Sequence, residues 1–334
     1  MSRTLPPSLL AIVGFIALAG CGRSDKADTQ SASAGASTPV VSASGTTSDS
    51  SSDVAVEAKP VTYESAESTL TSGDYSEATR LFSLYTEGNP ENAWGHYMLG
   101  IAAWKNGDHD RALSAFDRSL ELDSSHRKSL FNSGRVLLEK GRAQEALERI
   151  EKALAQEPMS GEGLRLLGRA RYQMGKVDEA IDAYRRALVA DQSDVWSMNN
   201  LGLIYIEQDR SQDALAPLAR AVQLKSNAPV FQNNLGVALE RSGYPVAAAR
   251  AYEAAIAVDS TYKKAAVGLA RVTAGGQEPE SEPVDLSTLA QEFLSEIEGW
   301  RESVPVSDST TPVGDSMVPV SDSTVPVSDS ITEE

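Results

Sequence analysis

The chain has 334 residues, with 30 Lys+Arg against 47 Asp+Glu, a formal net charge of −17, and one cysteine. A single cysteine excludes an intramolecular disulfide, and the acidic balance argues against a nucleic-acid surface. The three histidines, His96, His109 and His126, lack metal-ligand spacing, and no phosphate loop or nucleophile–base order stands out, so the chain reads as neither an enzyme nor a cofactor carrier.

Residues 1–20 read as a targeting signal outside the fold. Arg3 supplies a small positive start, and Leu9 to Ala19 is an apolar run too short to span a bilayer comfortably. The run ends in Leu18-Ala19-Gly20-Cys21, which resembles the bacterial lipoprotein cleavage box. That resemblance implies lipid attachment at the Cys21 sulfur and cleavage before it, and several acyl chains anchor a protein stably. Gly22 stands where an aspartate tends to retain lipoproteins at the inner membrane. The expectation is therefore an outer-membrane anchor facing the periplasm, with the outer face of the cytoplasmic membrane as the alternative. Residues 21–58 are Ser, Ala, Thr, Gly and Asp with few large apolar residues, which predicts a disordered tether.

From residue 59 a 34-residue period runs without insertion. Ala78, Ala112, Ala146, Ala180, Ala214 and Ala248 form one series on it. A second series is Ala66, Gly100, Gly134, Gly168, Gly202 and Gly236, all tiny. Gly73, Gly107, Gly141, Gly175, Asp209 and Gly243 form a third, as turn residues. Phe82, Phe116, Ile150, Tyr184, Leu218 and Tyr252 form a large apolar fourth. A fixed period of this length predicts stacked supersecondary units, each too small to bury its own apolar face. Each unit reads as two helices: Ala93 to Asn106 and Asp110 to Asp123 in the second. Pro217 falls inside a predicted helix and predicts a local irregularity there.

These motifs, such as NNLGLIYIEQDRSQDALAPLARAV from Asn199 to Val222, resemble the tetratricopeptide repeat. The resemblance implies an all-α, right-handed solenoid of six helix-turn-helix units over 59–92, 93–126, 127–160, 161–194, 195–228 and 229–262, with a capping helix at 263–274. Thr62 and Ser65 stand where later units carry apolar residues such as Leu164 and Leu167, as an exposed terminal unit requires.

In solenoids of this family the first helix of each unit lines the concave face, where asparagines bond the backbone of an extended peptide. The candidate groove residues are then Trp94, Tyr97, Trp104, Lys128, Phe131, Asn132, Arg135, Arg165, Arg169, Tyr172, Trp196, Asn199, Asn200, Asn233 and Asn234. An amide offers both a donor and an acceptor to a peptide unit. The groove reads as aromatic at its N-terminal end, basic in the middle and amide-rich at its end. That order suits a protein or peptide partner with apolar anchors and an acidic group, since arginine pairs carboxylates bidentately. The pattern only partly resembles the carboxylate clamp of chaperone-binding members, whose lysines are unmatched. The plainer reading makes the aromatics helix-packing core and pairs the arginines with acids such as Glu139 and Glu162.

The charge is uneven: residues 60–274 hold 25 Lys+Arg against 28 Asp+Glu, and residues 275–334 hold 1 against 14. Within the acidic linker 275–303, Asp285 to Trp300 predicts an amphipathic helix with Leu286, Leu289, Phe293, Ile297 and Trp300 on one face. Residues 304–334 repeat a heptapeptide of the form VPVSDST, whose prolines exclude a coiled coil and predict a disordered tail. The tail reads as a solvated extension or as a multivalent strand that could gate the solenoid's own groove. Taken together, the expectation is a membrane-anchored scaffold or adaptor of the bacterial envelope. Narrower alternatives are a pilotin-like assembly factor for a secretin or type IV pilus, and an adaptor for a periplasmic peptidase or the cell-wall machinery.

Overall fold

A computed structural model describes residues 61–274 and 283–303, and everything described is helix or short turn. The expected signal segment, Cys21, the tether and the heptapeptide repeats lie outside those residues. Six helix pairs follow in order: α1 (Tyr63–Thr71) and α2 (Tyr75–Gly88), α3 (Ala93–Lys105) and α4 (His109–Leu122), α5 (Arg127–Glu139) and α6 (Ala143–Leu154). Then come α7 (Gly161–Gln173) and α8 (Val177–Ala190), α9 (Val195–Glu207) and α10 (Ser211–Leu224), α11 (Pro229–Arg241) and α12 (Pro245–Val258). A single helix α13 (Lys263–Ala274) closes the stack, and α14 (Leu286–Ser303) follows. The fold is the all-α solenoid that the period implies.

Helix starts are written in the sequence. Thr62, Asp74, Asn92, Asp108, Ser160 and Asp194 each accept a backbone N–H of the first turn through their side chains. The turns between paired helices use the left-handed region, with φ of 88° at Gly73, 79° at Gly107 and 58° at Asp209, the one non-glycine described there.

The large apolar series, Phe82, Phe116, Ile150, Tyr184, Leu218 and Tyr252, is wholly buried, as is the alanine series. Each large side chain buried this way contributes about 1.5–3 kcal/mol. The tiny residues allow it: a Cβ on Gly100 would lie 2.5 Å from the Phe116 ring, and one on Gly202 2.5 Å from Leu218 Cγ. Pro217 does not interrupt its helix. The segment Ser211–Leu224 is continuous, its proline ring is buried, and only the proline's own missing N–H is lost.

First helices of successive units pack on one another, α3 on α5, α5 on α7, α9 on α11 and α11 on α13. Second helices of successive units do not pack to the same degree. The first helices therefore line the tighter, inner side of the stack. Two junctions depart from this rule: α1 and α3, and α7 and α9, meet less closely than the other inner pairs. From the outside, α14 bridges the second of these, lying against α8 and α10. Its apolar stripe (Leu286, Leu289, Phe293, Ile297 and Trp300) joins the core of the C-terminal units. Asp285 caps it by accepting the N–H groups of Ser287 and Thr288.

Candidate functional site along the inner row of helices

The inner row begins with an aromatic group. Trp94 is 40% exposed, and its Nε1 donates to the Tyr63 hydroxyl at 2.9 Å. Its ring centroid lies 5.0 Å from that of Tyr97 and 5.8 Å from that of His126, and Lys128 Nζ sits 5.1 Å above it. Tyr97 is buried, and burial pushes its phenol up to about 12. His126 is the N-cap of α5, its Nδ1 accepting from Ser129 N at 3.3 Å. Burial lowers its pKa, opposed by Asp123. Trp94 therefore offers a stacking face, while Tyr97 belongs to the wall behind it.

The basic middle divides into paired and less paired cations. Arg135 is buried and reaches Glu162 Oε1 at 2.5 Å, with its guanidinium 5.3 Å from the Trp104 ring. Trp104 donates to Glu139 Oε2 at 2.8 Å. Phe131 is buried against Gly163 of the next unit, so it is packing core. Asn132 donates to Lys128 O of its own helix at 2.9 Å. Both acids that the plainer sequence reading named, Glu139 and Glu162, are in use.

A more unusual arrangement lies where α7 and α9 part. Arg165 Nε stands 3.3 Å from Asp194 Oδ2, and Asp194 also caps α9. Arg169, one turn on, has no carboxylate partner among the described residues, and its Nε is buried without a hydrogen bond. Beside them Asn200 Oδ1 is buried without a hydrogen bond. Burial raises the Tyr184 pKa, opposed by Arg169, by a side-chain hydrogen bond with Asn200 and by Arg165. Buried polar atoms are nearly always bonded, and each exception marks a strained, wet or ligand-facing spot. Tyr252, the equivalent residue two units later, donates its hydroxyl to Glu240 at 2.8 Å.

The amide end is largely self-satisfied. Asn234 Nδ2 donates to Asn199 Oδ1 at 2.8 Å, and Asn233 Nδ2 to Asn234 Oδ1 at 3.1 Å. These three asparagines are buried and tie α11 to α9. Trp196 packs edge-on against Phe231, with Lys225 Nζ 5.6 Å from its ring. Tyr172 donates to Glu207, and burial pushes its phenol up to about 12. Of the candidate groove residues, Lys128, Arg169 and Asn200, with Trp94 at the entrance, combine position and open chemistry. Sequence reasoning missed Tyr184 and Asp194. Tyr184 was legible only as core, and its signal was a hydroxyl in a series otherwise hydrocarbon at Phe82, Phe116, Ile150 and Leu218. Among the described residues no group of three or more His, Cys, Asp or Glu could hold a metal ion, and no helix is long and apolar enough to cross a membrane.

Stacked helix pairs with a side-chain-lined inner row define an interaction scaffold. One model of the tetratricopeptide repeat matches residues 63–127 and 131–195, and a second matches 195–226. Among solved structures, a tetratricopeptide repeat protein from Parabacteroides merdae is similar over 63% of this chain and 82% of its own, at 13% identity and a TM-score of 0.54. A chain of the Cut9–Hcn1 hetero-tetramer of APC/C is similar over 62% of this chain and 41% of its own, at 19% identity and a TM-score of 0.56. MamA from Desulfovibrio magneticus RS-1 is 25% identical over 48% of this chain and 91% of its own, with a TM-score of 0.45. No curated protein matches the chain.

Proposed function

We propose that this protein is a lipid-anchored scaffold of the bacterial cell envelope that binds an extended, acidic peptide segment of a partner protein along its inner helix row. The observation that carries the reading is the pair of Arg169 Nε and Asn200 Oδ1, polar atoms of α7 and α9 that are buried and unbonded. The guanidinium can only donate, whereas Asn200 Oδ1 can only accept. A ligand that satisfies both offers an acceptor and a donor side by side. An aspartate or glutamate in an extended chain does so, with its carboxylate on Arg169 and a peptide N–H on Asn200. Trp94 and Lys128 give the same chain an apolar and a cationic contact further along the row. The anchor rests on Leu18-Ala19-Gly20-Cys21, and the periplasmic face of the outer membrane on the residue after it, Gly22.

Photo-crosslinking in cells from a probe at Asn132, with and without Arg169→Gln, tests the groove. A distinct envelope protein captured by the parent chain and lost in the Arg169 variant supports the reading. Equal capture by both moves the acidic contact elsewhere. Cys21→Ser tests the anchor, because the variant should lose detergent partitioning and the acyl mass. A variant that still partitions into detergent would refute lipidation at Cys21.

A further inference from the structure

The outer face of the stack departs from the 34-residue period beneath α14. Ala216 stands where the other units have Arg80, Ser114, Glu148, Asp182 and Arg250, all exposed. Ala219 stands where they have Ser83, Asp117, Glu151, Arg185 and Glu253. Val189, at the end of α8, is the one buried member of its own series. All three lie on the two helices that α14 covers, so its seat is built into the repeat sequence. The far end of α14 is tied to α8: Arg301 Nη2 donates to Val189 O at 3.3 Å, and the Arg185 guanidinium lies 5.0 Å from the Trp300 ring. Its middle is tied to the next pair, with Phe293 and Ile297 buried in the core that holds Leu215 and Leu218 of α10. The helix therefore spans two neighbouring units from the outside.

That span coincides with a division inside the stack. Among the described residues the buried apolar side chains form two clusters. α7 gives Leu164, Leu166 and Leu167 to the N-terminal cluster, whereas α9 gives Met198, Leu201 and Ile204 to the C-terminal one. α8 is shared, with Ala183 and Ala187 in the first and Tyr184 and Leu188 in the second. On the inner side α7 and α9 are joined near their two ends by polar contacts, Arg165 to Asp194 at 3.3 Å and Tyr172 to Glu207. Two point contacts define a line and leave one rotation about it, which is a hinge. Arg169 and the Asn200 amide both act on the Tyr184 phenol of α8, so they stand off that line, and rotation about it changes their separation. α14 lies off the line too, on the outer side, where a tie resists the rotation with a long lever.

We infer that α14 is an outer latch that locks the hinge between the α7–α8 and α9–α10 pairs at the angle where Arg169 Nε and Asn200 Oδ1 can hold one ligand. It follows from three placements: a built seat across α8 and α10, a core that divides at the same helix, and a buried donor and acceptor left unbonded on the inner side. The ligand side of the inference rests on the reading of Arg169 and Asn200 as an acid-binding seat, and the hinge with its latch does not. A docked α14 keeps the seat assembled. A released α14 lets the two halves swing, and the seat is then assembled for only part of the time.

The test uses the full chain with Cys21→Ser, so that spin labels go only to cysteines replacing exposed Lys152 of α6 and exposed Glu253 of α12. This pair spans the hinge and should give one narrow distance by pulsed electron resonance. Ala216→Glu with Ala219→Glu should broaden it, while a control pair at Ser114 and Lys152, both on the N-terminal side, should stay narrow. Trp300→Ala with Arg301→Ala leaves α10 untouched and should broaden the spanning pair as well, so a packing defect from buried glutamates would not explain the result. A spanning pair that is already broad before these changes, or that stays narrow in both variants, overturns the latch. The ligand side is read by anisotropy of a fluorescein-labelled decapeptide of alternating aspartate and serine. Both variants should bind it about tenfold more weakly, since affinity falls by the fraction of time the seat is assembled. If Arg169→Gln abolishes binding but both latch variants bind as the parent does, the coupling to the seat fails and the acid-binding reading stands. If the parent does not bind the decapeptide, or Arg169→Gln leaves binding unchanged, the acid-binding reading fails and the distances alone decide the latch.

Discussion

Asn234 donates its side-chain amide to Asn199 Oδ1 at 2.8 Å across the α9–α11 boundary, and the two residues are 35 positions apart, one more than the repeat. The same offset recurs in Trp104 to Glu139 at 2.8 Å, Gln173 to Leu138 O at 3.1 Å and Arg241 to Ile206 O at 3.0 Å. Neighbouring units are therefore joined by a polar stitch near the inner row as well as by apolar packing. Such stitches fix the angle between units, because a hydrogen bond tolerates less displacement than a hydrophobic contact.

Asn234→Ala should destabilise by about 1–3 kcal/mol, since it leaves the buried Asn199 oxygen and the Asn233 amide without their partner. Asn199→Ala should cost a similar amount. The double variant should cost clearly less than the sum of the two, because both remove one interaction. Urea titrations of the four proteins measure this. Strict additivity would mean that the amides act independently.

Acid should act through His126. Burial lowers its pKa below the ordinary 6.5, opposed by Asp123 and aided by Lys128, and its neutral Nδ1 caps α5. A folded-state pKa below the unfolded one means that stability is fully present above about 6.5. It declines as the pH falls from there through the folded pKa, because the unfolded chain takes the proton first. The cap is lost on protonation, as the ring nitrogen can no longer accept. His126→Asn keeps a capping acceptor without a titration. The fall in urea midpoint between pH 7 and pH 5 should therefore shrink in that variant, and an unchanged fall would assign the acid sensitivity elsewhere.

Gly202→Ala should destabilise by about 1–3 kcal/mol through overpacking, because the new methyl would sit 2.5 Å from Leu218 Cγ in a fully buried contact. The combination with Leu218→Ala should recover part of the loss by making room. Thermal melting of the single and double variants reads both effects. A single variant as stable as the parent would contradict the close approach of α9 and α10.

The fold was legible because a 34-residue register converts directly into helix pairs, and alanine, glycine and aromatic positions each have one steric meaning in it. Even Asp209, the single departure from the turn glycines, keeps their left-handed backbone, with φ 58°. The groove was legible only as a row of positions. Periodicity places Asn199, Asn233 and Asn234 on the inner helices, but it cannot say that their amides bond one another. Arg135 and Arg169 likewise share a series, yet only Arg135 meets an acid, because Glu162 starts the next helix beside it. Tyr184 was hidden for the opposite reason, since its ring fits the core series so well that its hydroxyl drew no notice. The amphipathic face of α14 was readable, whereas its seat required comparing outer positions that the repeat leaves free to vary.

That seat gives the last prediction. Ala216 and Ala219 are small and apolar on the face of α10 where α14 packs, with Phe293 and Ile297 of α14 buried in the same core. A glutamate at both positions would have to be stripped of water against those side chains, which costs several kcal/mol unless the helix leaves. Leaving is the cheaper outcome, because α14 is held by one apolar stripe, the Arg301 contact and the Arg185 guanidinium on the Trp300 ring. The paired change Ala216→Glu with Ala219→Glu should therefore speed amide exchange across residues 286–303 at least tenfold. Exchange in α1 to α6, far from the seat, should stay as it was. Protection retained over 286–303 would mean that α14 is held by something other than the apolar surface of α10.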